Sequence, residues 1–184
     1  MFEVLETSLH GLSIIKNLRS EDQRGYFERI YCSESLCPGL LGESILQINR
    51  SFSKACGTLR GLHFQTYPVT EQKMVRCIRG RVYDVAVDVR RGSPTFLQWH
   101  AEVLEGSSPK SLLIGCGFAH GFQTLSDDCE MLYFHTKPHS PANEGGLNPR
   151  DPALGIPWPE PISEISIKDS GRKFLDGRYE TLLP

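Results

Sequence analysis

The chain has 184 residues, a length that fits one domain, and its 20 Lys and Arg against 22 Asp and Glu leave a formal net charge of -2. Without a basic excess there is no electrostatic footprint for a nucleic-acid backbone, and without an acidic run nothing reads as a solvating tail. The first twenty residues lack both a basic start and an apolar centre, and no apolar run approaches the roughly 20 residues that span a bilayer, so the expectation is a cytoplasmic protein that engages neither nucleic acid nor membrane.

Taken in chain order, the first predicted element is a short helix over residues 33–41, with Ser33 as N-cap and Gly39 near its end. Residues 59–65 (LRGLHFQ) alternate, placing Leu59, Gly61, His63 and Gln65 on one face. Residues 73–78 and 81–90 read as a hairpin about Arg79 and Gly80. In its second strand Tyr83, Val85, Val87 and Val89 share one face, and Val82, Asp84, Ala86 and Asp88 the other. After a turn at residues 91–94 a strand is predicted over 95–103, followed by short runs at 111–114 and 129–136. From Lys137 onward Pro, Gly and Asn dominate, which predicts a loop-rich wrap over residues 137–184. Gly (17) and Pro (12) make up about 16% of the chain, above the usual ~12%, as turn-rich β proteins do. The expected fold is therefore all-β, a jelly-roll sandwich or barrel with few short helices, in a single domain spanning 1–184. Six cysteines (32, 37, 56, 77, 116, 129) without a CxxC pair read as reduced thiols rather than a disulfide framework.

Polar groups interrupt these strands. His63, Lys73 and Tyr133 stand in otherwise apolar β segments, where such groups are costly unless paired. Taken singly, a strand His or Tyr is more often a satisfied core residue than a functional one. His63, His100, His120 and His135 could supply metal ligands, but no two of these four are spaced as His-x-His or His-x-x-x-His to give two from one element, so no metal is expected. A GxSxG elbow, a P-loop and a GxGxxG fingerprint are all absent, which argues against hydrolase, ATP and nicotinamide chemistry.

Several motifs occur in order: residues 22–27 (DQRGYF), 47–49 (QIN), 58–65 (TLRGLHFQ), 73–76 (KMVR), 82–90 (VYDVAVDVR), 93–96 (SPTF) and 117–122 (GFAHGF), with Tyr133, Glu144, Lys168 and Asp169 after them. In these the chain resembles the nucleotide-sugar 3,5-epimerases typified by dTDP-4-dehydrorhamnose 3,5-epimerase, which have a cupin-like jelly roll. The resemblance covers residues 19 to 169. It implies cofactor-free proton transfer beside the C4 ketone of a nucleoside-diphosphate 4-keto-6-deoxyhexose, where the ketone acidifies the hydrogens on C3 and C5.

The resemblance further implies that His63 is the general base, that Asp169 bonds its other ring nitrogen, that Lys73 opposes enolate charge at O4, and that Tyr133 protonates the opposite face. It implies substrate contacts from Arg24, Phe27, Gln47, Asn49, Arg60, His120, Glu144 and Lys168, and a homodimer in which Arg24 and Phe27 reach the neighbouring site. Three places depart from the family pattern. Arg29 stands where Glu is usual, with the acid one place earlier at Glu28; His139 stands where Tyr is usual; and Pro149 replaces an aromatic. Glu28, Arg29 and His139 are accordingly carried as substrate-contact candidates. The departures leave open a CDP- or GDP-linked sugar in place of dTDP, and epimerisation at one centre rather than two. A non-catalytic or metal-dependent cupin is the reading from a different class.

Overall fold

The computed structural model describes residues 2–36 and 43–175. Fourteen strands and two one-turn helices follow in chain order: β1 Phe2–Glu6, β2 Leu12–Asn17, β3 Arg19–Asp22, β4 Gly25–Glu28, α1 Ser33–Leu36, β5 Gln47–Ser53, β6 Thr58–Gln65, β7 Lys73–Arg79, β8 Arg81–Asp88, β9 Trp99–Glu105, β10 Lys110–Ile114, β11 Phe118–Thr124, β12 Cys129–His135, β13 Glu144–Gly146, β14 Glu164–Ile165 and α2 Ile167–Ser170. Two sheets face each other, ordered β1-β2-β10-β7-β12-β5 and β13-β6-β11-β8-β9, with β14 added in parallel to β6. Strands β3 and β4 form a separate hairpin arm. This is the all-β sandwich of antiparallel strands that the alternation implies, and it is a cupin-like jelly roll.

Apolar residues of period 2 explain the layers. Leu12, Val75, Cys77, Leu112, Ile114 and Met131 meet Val82, Ala86, Phe118 and Phe122 between the sheets. The other face of β8 is apolar too: Val85, Val87 and Val89 pack with Leu62, Phe64, Leu147 and Leu154. The loop-rich segment after Lys137 supplies that cover. Trp158 Nε1 donates to the Pro149 carbonyl (2.7 Å), Trp99 Nε1 donates to the Leu154 carbonyl (2.9 Å), and the Gln123 amide brackets the Glu160 backbone. A third cluster, with Ile15, Met74, Leu113 and Phe134 at its centre, covers the outer face of the first sheet against Ile30, Tyr31 and Ile45.

The structure corrects one element boundary. The strand expected from residue 95 begins at Trp99, because residues 95–97 are turn. Ser93 and Thr95 both donate side-chain hydroxyls to Asp88 Oδ2 (2.6 Å each), and Leu97, at φ +61°, returns its N–H to the Asp88 carbonyl. These bonds hold the chain in a tight loop and withdraw Thr95 from the ladder. The helix expected over 33–41 is described only for Ser33–Leu36, and its remainder lies outside the described residues.

Close approach of β6 and β11 brings the strands bearing His63 and His120 together. A Cβ on Gly61, at φ +115°, would stand 2.6 Å from Gly121 Cα, so neither position has room for a side chain. His63 and His120 are direct cross-strand partners in this pair. Among the described residues no helix is long and apolar enough to cross a membrane.

Candidate active site

At one end of the sandwich the core gives way to a cavity of about 630 Å³ lined from both sheets. Strand β6 contributes Arg60, His63 and Gln65, β11 contributes His120, β7 contributes Lys73, β12 contributes Tyr133 and His135, and β5 contributes Asn49 and Ser51. Glu144, Lys168 and Asp169 come from the segment that wraps back over the edge of β6.

His63 and Asp169 are paired. The ring Nε2 stands 2.6 Å from Asp169 Oδ1, and Asp169 Oδ2 accepts the Gly61 N–H at 3.3 Å. Asp169 belongs to α2, whose N-cap Ser166 accepts the Asp169 N–H and so fixes the carboxylate against β6. Burial pushes the Asp169 carboxyl upward, but the bonds from His63 and the Gly61 amide outweigh it and hold it below its ordinary value. An ionised Asp169 requires His63 to carry its proton on Nε2, which leaves Nδ1 as a free lone pair.

Tyr133 stands on the other sheet. Its hydroxyl shares a 3.0 Å hydrogen bond with Ser51, and burial holds the phenol well above its usual range, so it remains a proton donor at neutral pH. Its ring is bounded edge-on by His120 (6.4 Å between centroids) and face-on by His135 (6.1 Å, 17° between planes). His120 Nε2 donates to both oxygens of the fully buried Asp84 (2.9 Å each). Burial lowers its basicity more than Asp84 raises it. Lys73 is buried, its Nζ 3.5 Å from Glu71.

The four residues expected to carry chemistry therefore line one cavity, as do Asn49, Arg60, His120, His139, Glu144 and Lys168. Gln47 sits just behind it, accepting the His139 N–H through Oε1 at 3.1 Å. Glu28 lies elsewhere. Its carboxylate is enclosed between Arg19 (3.1 Å) and Arg76 (2.7 Å), a buried ion cluster at the root of the arm. Arg24 and Phe27 lie on the β3–β4 arm with exposed side chains and do not line this chain's own cavity. Arg29 does not line it either; its backbone carbonyl accepts from the Asn17 amide. Of the three family departures, only His139 reaches the cavity, and Pro149 is buried in the wrap.

Glu71, His135 and Ser51 were not among the expected site residues. His135 shares the Tyr133 face of β12 by simple alternation, a signal present in the sequence. Glu71 precedes β7 in a loop, where no periodicity marks it.

Comparison with known proteins decides the family. The profile described as dTDP-4-dehydrorhamnose 3,5-epimerase matches residues 6–176. The chain belongs to the dTDP-4-dehydrorhamnose 3,5-epimerase family. It is 41% identical over 179 residues to the enzyme of that name from Salmonella typhimurium, covering 96% of this chain and 97% of that one. It is 40% identical over 169 residues to that from Sinorhizobium fredii, covering 91% and 87%. The dTDP-6-deoxy-D-glucose-3,5-epimerase of Legionella pneumophila, solved in complex with dTDP-4-keto-L-rhamnose, superposes with a TM-score of 0.91 at 37% identity, covering all of this chain and 98% of that one.

Proposed function

We propose that this family member is an isomerase that converts dTDP-4-dehydro-6-deoxyglucose to dTDP-4-dehydrorhamnose, epimerising C3 and C5 without a cofactor. The observation that carries the reading is the division of labour between the sheets: His63 on β6 and Tyr133 on β12 line one cavity from opposite walls. Inversion needs a base on one face of the sugar carbon and an acid on the other.

In this mechanism His63 Nδ1 takes the proton from the carbon beside the ketone, and the electron pair moves into the C–C–O system as an enolate. Asp169 stabilises the imidazolium that forms. Lys73 opposes the charge developing on O4, a contribution of about 3–4 kcal/mol for one well-placed donor. Tyr133 then returns a proton to the opposite face. His63 and Tyr133 must exchange their protons before the second centre reacts. Arg60, exposed at the rim and steadied by Ser53 Oγ and the Phe52 carbonyl, is suited to the diphosphate. Glu144, Lys168 and His139 form a charged corner for the nucleoside end. A dTDP substrate is favoured over a CDP or GDP one because His139 alone among the three departures touches the cavity, and an imidazole still stacks on a base.

The chain is further proposed to act as a homodimer in which the β3–β4 arm, with exposed Tyr26 and Phe27, delivers Arg24 to the partner's cavity. The test of the function is conversion of dTDP-4-dehydro-6-deoxyglucose followed by NMR in the presence of chelator. Formation of the dehydrorhamnose product supports the reading, and absence of turnover overturns it.

A further inference from the structure

Lys73 is a buried ammonium, and a buried charge persists only with a counter-charge. Among the described residues the carboxylate within ion-pair distance is Glu71, itself only 8% exposed. Glu71 has a second partner. Its Oε2 stands 2.8 Å from His135 Nδ1, while Oε1 faces Lys73. In the neutral ring this makes Nδ1–H the donor to Glu71 and leaves Nε2 to accept from the Asn49 amide at 3.4 Å. The result is a chain along the cavity wall, Asn49 to His135 to Glu71 to Lys73, that also lays the His135 ring on Tyr133. It is built from adjacent positions, since His135 and Lys73 are cross-strand partners on β12 and β7.

We propose that Glu71 and His135 are positioning residues of this site, Glu71 holding the Lys73 ammonium in place and in its charged form and His135 holding Glu71. The inference rests on the epimerase reading for the task it gives Lys73. Burial alone would make Glu71 a weaker acid, yet the hydrogen bond from His135 and the charge of Lys73 hold it below its usual range, so the carboxylate is ionised when the site works. Among the described residues three hydrogen-bonded imidazole–carboxylate pairs thus line or back one cavity, and they differ in task. His63–Asp169 presents a free nitrogen. His120–Asp84 is sealed in the wall. His135–Glu71 is turned through its carboxylate onto a cation. The titratable and charged groups facing Lys73 are Glu71 from its own lead-in loop, His135 from β12 and His120 from β11, with His63 acting on His120 from β6.

The test compares wild type with E71Q, E71D, H135N and H135L. It reads kcat and KM across pH, together with the NMR titration of ¹³Cε-labelled Lys73. E71Q is expected to lower kcat about tenfold or more with KM changed less than about threefold. Its alkaline limb should move down by about one pH unit or more, because a buried ammonium without its partner sheds its proton sooner. E71D restores most of the limb. H135N, whose amide keeps a donor near the Nδ1 position, resembles wild type, and H135L follows E71Q. If E71Q does not fold, the H135N and H135L pair carries the same contrast. An unmoved limb in E71Q, or equal behaviour of H135N and H135L, overturns the proposal. A wild type that folds but never turns over defeats the epimerase reading instead, and the Lys73 titration then still decides this one.

Discussion

His63 Nε2 lies 2.6 Å from Asp169 Oδ1, and that contact selects which nitrogen of the imidazole can act as a base. Asp169 is held at both oxygens, one by the ring and the other by the Gly61 N–H. In Asp169→Asn the Gly61 N–H still demands the amide oxygen, so the amide NH2 faces His63 and imposes the opposite tautomer. The expected outcome is a fall in kcat of about a thousandfold, with the fold intact by circular dichroism and substrate binding little changed by calorimetry. Near-normal turnover would remove Asp169 from the mechanism.

Tyr133→Phe separates abstraction from inversion. The variant keeps the ring between His120 and His135 and loses only the hydroxyl bonded to Ser51. Product formation should drop by about 10²- to 10⁴-fold, while His63 continues to exchange substrate hydrogens with solvent on its own face. Parallel loss of exchange and inversion, followed by NMR in deuterated buffer, would mean that Tyr133 is not the acid.

The legibility of this fold varied with burial. Strand β8, with apolar residues on both faces, was readable because each face packs against its own layer, one between the sheets and one under the wrap. The arm strands β3 and β4 and the edge strand β5 were not, because their side chains are mostly exposed and polar, leaving little periodicity to read. The His63, Lys73, Tyr133 and Asp169 set was legible through motif resemblance. No spacing rule joins Asp169 to His63 across 106 residues of chain. Glu28 shows the converse. A motif position suggested a substrate contact, but only the three-dimensional neighbours, Arg19 and Arg76, reveal a carboxylate committed to an ion cluster.

Asp88 gives the protein an acid-sensitive stability. Burial opposes ionisation, yet bonds from Arg90, Ser93 and Thr95 bring its carboxyl down to about 2. The folded value lies below the unfolded value of about 3.9, so the stabilisation is complete above roughly pH 4 and is lost as pH falls through 2. The difference corresponds to about 2–3 kcal/mol. Denaturant unfolding should show this loss in wild type between pH 4 and 2, and a flatter dependence in Asp88→Asn. Equal slopes would show that the loop, not the carboxylate, sets stability there.

The exposed arm makes a further expectation concrete. If Arg24 serves the partner's cavity, Arg24→Ala and His63→Ala homodimers should both be impaired. A mixed dimer then regains one intact site and about half of wild-type activity. Recovery of none, measured after co-expression and tag-based separation, would argue against sharing of the site between subunits.

The central claim is proton transfer at carbon from two opposed walls of one cavity. Deuterium uptake from heavy water into the dTDP-4-keto-6-deoxy sugar, weighed by mass spectrometry and located by NMR, tests it most directly. The account predicts label at both C3 and C5, with uptake abolished in His63→Ala. No uptake at either carbon, with folded enzyme and bound substrate, would contradict it.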